Sequence, residues 1–261
     1  MVKDQVLWSV LVDECPEFPQ IHQDIQVDVC VIGAGFTGLS TAIHLAEKGY
    51  TVTVLEAQRV GSGGSGRNVG LVNAGTWAQP DELNVFMGEK AGEKLTAALG
   101  QAPKLVFDTI DRLGINAQET RTGNLHMGHN REGEADVDTR YEQLSRRGAD
   151  VEVLTGSKCH EYCGTTTIHK ALLDKRAGTV NPYAYVTGLA TSAAKLGVKI
   201  YEKSSVSGVT KQNNQWCVHS TDYNVTANKV VIATNAYTEG EWHDILKQFT
   251  SYSIIRLLQS H

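Results

Sequence analysis

The stretch Val31-Ile32-Gly33-Ala34-Gly35-Phe36-Thr37-Gly38, answered by Glu56 at the end of the next apolar run, decides the fold of this 261-residue chain. Residues 28–32 alternate into an apolar strand, 37–48 put Leu39, Ala42, Ile43 and Ala46 on one helical face, and 51–55 return to β-branched and apolar residues. Strand, helix and strand follow one another within about 30 residues, the span of a nucleotide-binding β-α-β unit. Gly33 permits the tight turn, Gly35 lets the backbone approach a pyrophosphate, and Gly38 lets the helix pack closely on the sheet. A diphosphate then sits at the helix N-terminus, where the N–H groups and the helix dipole favour an anion. Glu56 is positioned to accept hydrogen bonds from an adenosine ribose.

After Glu56 the chain enters Gly61-Ser62-Gly63-Gly64-Ser65-Gly66-Arg67-Asn68-Val69-Gly70 rather than a further β-α repeat. So glycine-rich a run brings backbone close to a flat or charged ligand, while Arg67 offers a fixed positive charge and Asn68 both a donor and an acceptor. A flexible linker would not end in Arg-Asn and then resume an apolar run at Val69, Leu71 and Val72.

The segment 81–113 reads as mostly helical with a break at Pro103, 123–128 as a short strand, 131–147 as a polar helix and 151–154 as another strand. A helix over 183–196, stopped by Gly197, leads into a strand at 198–201. Residues 206–211 and 215–220, joined at Asn213-Asn214, read as a hairpin, and 229–233 as a buried strand. The nucleotide-binding domain is therefore expected to be discontinuous, over 26–75 and 176–238. A partial substrate domain takes 76–175 and 239–261, behind an N-terminal extension of 1–25.

The net charge of −5, with no long basic run, lacks the electrostatic footprint of a nucleic-acid or polybasic membrane binder. Residues 1–26 hold acids, Pro16 and Pro19 but no continuous apolar core, so they do not read as a signal peptide, and no stretch approaches the length of a bilayer span. A cytoplasmic location is expected. The five cysteines are irregularly spaced, and Cys30 lies inside the first strand, which suits a reducing compartment and no cross-link. Cys159, His160 and Cys163 have no second ligand pair at zinc-like spacing and read as ordinary thiols beside a histidine, so no metal is expected.

Taken together, these residues resemble the FAD-dependent D-amino-acid oxidase (DAO) superfamily, in the branch holding glycine oxidase, sarcosine oxidase and the γ-glutamylputrescine oxidoreductases. The resemblance rests on the block 31–57, Ser65-Gly66-Arg67-Asn68, Asn181-Pro182 at the head of its helix, and Ala233-Thr234-Asn235-Ala236, with Trp8 upstream. It implies an α/β fold: a Rossmann-like FAD-binding domain of glutathione-reductase type with an inserted, incomplete α+β substrate domain. It also implies that Gly33, Ala34, Gly35, Phe36, Thr37 and Gly38 hold the FAD pyrophosphate and that Glu56, with Ala57, holds the ribose. Ser65, Gly66, Arg67 and Asn68 would then line the flavin end, Val206 pair with the adenine edge, and Ala233, Thr234 and Asn235 complete the site.

The chemistry so implied is dehydrogenation of an amine or amino acid by hydride transfer to flavin N5, giving an imine that water hydrolyses, with O2 reoxidising the flavin. A neutral amine held against the ring in a water-poor site needs no strong protein base, so no catalytic residue is nominated. His44 is expected to be packed on its helix, while His169 and Asp174 are candidates to face the substrate. The chain stops sooner than the superfamily's pattern: 249–255 begins to resemble the next substrate strand before the end at His261. A fragment or truncated product with an unfinished sheet edge is expected. The alternatives are a non-catalytic dinucleotide-binding module and an NAD(P)-dependent dehydrogenase. The loop 61–70 and the strand end at 233–236 argue against the dehydrogenase.

Overall fold

The computed structural model describes residues 7–12 and 15–238. The chain divides into two compact units, one made of Met1–Arg67 and Val186–His261, the other of Asn68–Tyr185. The sequence places these boundaries at 75 and 176 instead. Trp8 lies in a short helix, Leu7–Val10. The anticipated substrate strand at 249–255, with all of 239–261, lies outside the described residues.

In chain order the strands are β1 (Ile25–Ile32), β2 (Val52–Leu55), β3 (Leu71–Val72), β4 (Asn124–Gly128), β5 (Val151–Thr155), β6 (Lys170–Asp174), β7 (Gly178–Thr179), β8 (Lys199–Tyr201), β9 (Val206–Gln212), β10 (Gln215–Ser220) and β11 (Asn224–Ile232). The first unit is built on one six-stranded sheet of order β8-β2-β1-β11-β10-β9. Its members β8, β2, β1 and β11 run parallel, and β10 and β9 add an antiparallel flank. All four residues of β2 and the last four of β1 are buried, the continuous apolar pattern of parallel strands covered on both faces. The crossover between β1 and β2 is the helix Phe36–Glu47, which buries Gly38, Leu39, Ala42 and Ile43.

The helix Pro182–Lys195 crosses the boundary between the units, and from Val186 on it buries Val186, Leu189, Ala190 and Ala193. Gly197, at φ +89°, ends this stretch and hands the chain to β8. The β9–β10 hairpin turns through Asn213 (φ +47°) and Asn214 (φ +65°), the two consecutive left-handed residues that match strand twist in a tight hairpin. The strand anticipated at 229–233 starts earlier, at Asn224, and its second half is not buried as expected. The reason is pairing: β10 covers only 224–227, so beyond that point β11 is flanked by β1 alone.

In the second unit an antiparallel sheet of order β4-β6-β5 packs against the helix Arg131–Ser145, and β3 pairs with β7. Three helices, Pro80–Met87, Glu89–Gly100 and Ala102–Leu113, occupy the region expected to be mostly helical with a break at Pro103. The breaks fall at Gly88, which adopts φ +80°, and at Gln101 rather than at Pro103. Pro103 lies in the first turn of its helix, where its missing N–H costs nothing. In this unit the helix Gly156–Cys163, the short strands β3 and β7, and β6, the central strand of its sheet, are not anticipated from the sequence.

Candidate functional site

The parallel strands β1, β2 and β11 end together at Ile32, Leu55 and Ile232, and a cleft of about 580 Å³ opens there. This is the side of an open α/β sheet on which ligands bind, and the volume is that of a small-molecule site. Gly33, at φ +103°, donates its N–H to Leu55 O at 2.8 Å, and Ala233 N donates to Ile32 O at 2.8 Å. Two backbone bonds thus stitch the three strand ends into one rim.

Each glycine of the turn meets a specific close neighbour. A Cβ on Gly38 would stand 1.9 Å from Gly33 O, so its absence lets the helix seat against the turn. A Cβ on Gly33 would meet Ala233 O at 2.7 Å. At Gly35 the space is taken by Ser65, whose Oγ would lie 2.8 Å from an added Cβ. That Oγ accepts the N–H of Phe36, the first residue of the helix, at 3.0 Å. Through this bond a side chain of the glycine-rich loop caps the helix N-terminus from outside it.

Glu56 is fixed by backbone on both sides: its N–H donates to Tyr201 O at 2.8 Å and its C=O accepts from Ser204 N at 2.9 Å. Its carboxylate accepts from Ala34 N at 2.9 Å through one oxygen and from Gln58 N at 3.0 Å through the other. A carboxylate has about four acceptor positions. These two bonds therefore orient the group and leave each oxygen capacity for a ribose hydroxyl.

The glycine-rich loop is ordered rather than linker-like. Val60 N donates to the buried carboxylate of Glu202 at 2.9 Å, and Gly66 packs so tightly that a Cβ would be 2.1 Å from Gly61 O. The loop ends in a helical turn, Gly64–Arg67, and Gly63 faces the ring of Tyr237. Arg67 lines the cleft, is exposed, and makes no ion pair among the described residues, so it adds a positive charge to the rim.

Of the residues singled out from sequence, Gly33, Ala34, Gly35, Glu56 and Ala57 line the cleft, together with Ser65, Arg67, Val206 and Ala233-Thr234-Asn235. Phe36, Thr37, Gly38 and Gly66 are not among the lining residues. Asn68 falls in the second unit, where its Oδ1 accepts from Gly70 N at 2.9 Å. Ser204, Ser205, Tyr237 and Thr238 also line the cleft and were not anticipated. Sequence offered no signal for them, because they reach the cleft only through the placement of β8, β9 and β11.

His44 corrects an expectation: it is exposed rather than packed, and its Nδ1 bonds Ser40 O at 2.7 Å. It lies one position beyond the buried Ile43, a rotation of about 100° away from the sheet. His169 is exposed and packs edge-on to His160, with ring centroids 5.8 Å apart. Asp174 lines a separate cavity of about 340 Å³ in the second unit, where it is paired with Arg176 at 2.6 Å. No group of three or more metal-ligating side chains forms among the described residues, and no described helix is long and apolar enough to cross a membrane.

Comparison with known proteins adds an independent line. A family model described as "FAD dependent oxidoreductase" (DAO) matches residues 28–258. The chain is 32% identical over 222 residues to "Gamma-glutamylputrescine oxidoreductase" of Escherichia coli K12, covering 84% of this chain and 51% of that protein. It is 32% identical over 225 residues to "Probable oxidoreductase OrdL" of Haemophilus influenzae, covering 85% and 52%. The chain thus spans about half the length of the curated relatives it matches. Among solved structures, glycine oxidase from Geobacillus kaustophilus shares the fold at a TM-score of 0.69 and 22% identity, over 82% of this chain and 56% of that one.

Proposed function

The chain belongs to the DAO family of FAD-dependent oxidoreductases, and from that premise we propose that it serves the oxidation of a primary or secondary amine, or an amino acid, to an imine. FAD is the family's cofactor, and bound FAD supplies a hydride acceptor at N5, with O2 as the proposed final electron acceptor. The observation that carries the reading is the Glu56 carboxylate, held by Ala34 and Gln58 at the end of β2 with acceptor capacity to spare. It stands beside a glycine turn and a helix N-terminus, the three parts an adenine dinucleotide requires.

In this reading the turn at Gly33, Ala34 and Gly35, with Phe36, Thr37 and Gly38 behind it, receives the pyrophosphate. Ser65 accepts the Phe36 N–H and so holds the start of the helix beside the turn. Glu56 and Ala57 take the ribose and Val206 the adenine edge. Ala233, Thr234 and Asn235 form the opposite wall, and Ser65, Gly66, Arg67 and Asn68 serve the flavin end. The partners proposed are a small amine or amino acid and O2, with neither nucleic acid nor membrane. The net charge of −5 and the unpaired state of all five cysteines support a cytoplasmic protein.

The test is anaerobic addition of a panel of amines and amino acids to the FAD-loaded chain, followed by visible absorption. Bleaching of the flavin by one member supports the reading and names the substrate class. Flavin bleached only by a substrate without nitrogen, such as a polyol phosphate, contradicts it.

A further inference from the structure

The helix Gly156–Cys163, absent from the sequence reading, brings two cysteines together: Cys159 Sγ and Cys163 Sγ lie 3.8 Å apart. Both belong to a small core with Leu154, Ala171 and Leu173, remote in sequence from the cofactor motifs. Cys159 is fully buried, and its thiol, a weak donor, donates to Ile168 O at 3.5 Å. Cys163 is half-exposed. Among the described residues no third metal-ligating side chain joins them in a group, so the pair is considered for its thiol chemistry.

We propose that Cys159 and Cys163 form a reversible dithiol–disulfide site that reacts with low-molecular-weight disulfides. The Cys163 thiolate, its proton released to solvent, attacks one sulfur of RSSR. The S–S bond of RSSR breaks, a Cys163–SR mixed disulfide forms, and the departing RS⁻ takes up a proton. Cys159 then gives up its proton and attacks Cys163 Sγ, the Cys163–SR bond breaks, and a second RSH leaves. Two protein thiols are oxidised by two electrons in total, and one RSSR is reduced to two RSH. Burial, together with the neighbouring Cys163, pushes the Cys159 thiol up to about 11, which suits it to the second step rather than the first.

The geometry also makes the bond easy to break. Side chains four apart on a helix keep their Cβ atoms about 5–6 Å apart, whereas a disulfide requires about 3.5–4.5 Å. Closure must therefore deform the helix, and the pair sits where that deformation is local. Cys163 is the last helical residue, and Gly164 follows it in the left-handed region at φ +66°. A disulfide strained in this way is more readily reduced than a structural one and so behaves as a labile, regulatory bond.

The experiment equilibrates the native chain with a series of glutathione and glutathione disulfide ratios, quenches in acid, alkylates the remaining thiols and digests with trypsin. Residues 159–170, between Lys158 and Lys170, emerge as one peptide carrying both cysteines. The expected result is an unalkylated peptide about 2 Da lighter than the dithiol form, restored by reductant, while the peptide bearing buried Cys30 stays alkylated. Cys159→Ser should instead trap a glutathione adduct on Cys163. A wild-type peptide that is doubly alkylated across the whole series, or that carries a lasting adduct with no internal bond, would overturn the proposal.

Discussion

The carboxylate of Glu56 accepts the N–H of Ala34 at 2.9 Å, tying the end of β2 to the glycine turn that follows β1. The same side chain thus shapes the turn and, in the proposed function, binds the ribose. Hydrogen bonds to a charged group are worth about 1.5–3 kcal/mol each. Glu56→Ala should weaken FAD binding by about 10- to 100-fold, and Glu56→Gln by less, because one amide oxygen still accepts. Quenching of flavin fluorescence on titration reads both; equal affinity in wild type and Glu56→Ala would remove Glu56 from the site.

Ser65 accepts the Phe36 N–H at 3.0 Å, so its hydroxyl does the work of an N-cap contributed by a distant segment. Ser65→Ala should cost about 0.5–2 kcal/mol of stability, the range for losing such a cap. Urea unfolding without cofactor measures that loss. A further drop in FAD affinity, measured separately, is expected because Ser65 lines the cleft and holds the helix N-terminus in the proposed function.

Gly38 has no room for a methyl group, since a Cβ would lie 1.9 Å from Gly33 O. The contact is backbone, so relief requires shifting the helix Phe36–Glu47 off the turn. Gly38→Ala should destabilise the chain by about 1–3 kcal/mol or more and abolish cofactor retention. Gly49→Ala on the same crossover meets nothing within 4 Å; its φ of +84° makes it a control for backbone strain without a clash. Thermal unfolding followed by circular dichroism should rank wild type above Gly49→Ala and Gly49→Ala above Gly38→Ala.

Glu93 is held down to about 2 by hydrogen bonds from Arg147 and Asn84, against an ordinary 4.5. The folded state therefore binds fewer protons than the unfolded state between these values, and stability rises with pH across that window. The contribution is fully present above pH 4.5 and is lost as pH falls toward 2. Urea midpoints measured between pH 5 and pH 2.5 should fall less steeply in Glu93→Gln than in wild type, whereas parallel slopes would show that Glu93 adds nothing to acid sensitivity.

What sequence made legible is local. Gly33, Gly35, Gly38 and Glu56 fall within a single β-α-β unit, where spacing along the chain fixes spacing in space, and the Asn213-Asn214 turn states its own conformation. The strand β6 was hidden because Ala171, Leu172 and Leu173 form a short apolar run without alternation, buried on both sides between two other strands. Pro103 misled as a breaker because position within the first turn decides its effect. Ser204 and Tyr237 belong to the cleft only through tertiary placement, far along the chain from the glycine turn they face. The pairing of Ser65 with Phe36 was likewise out of reach, since motif spacing gives no information on which hydroxyl reaches which N–H.

The first unit, with Glu56 at its rim, is proposed to hold FAD. The most direct test is to incubate the purified chain with FAD, remove unbound cofactor by gel filtration and record the visible spectrum beside that of Glu56→Ala. Wild type should retain the flavin absorption bands and Glu56→Ala much less. A wild-type chain that emerges colourless, yet binds NAD in a parallel titration, would contradict this proposal.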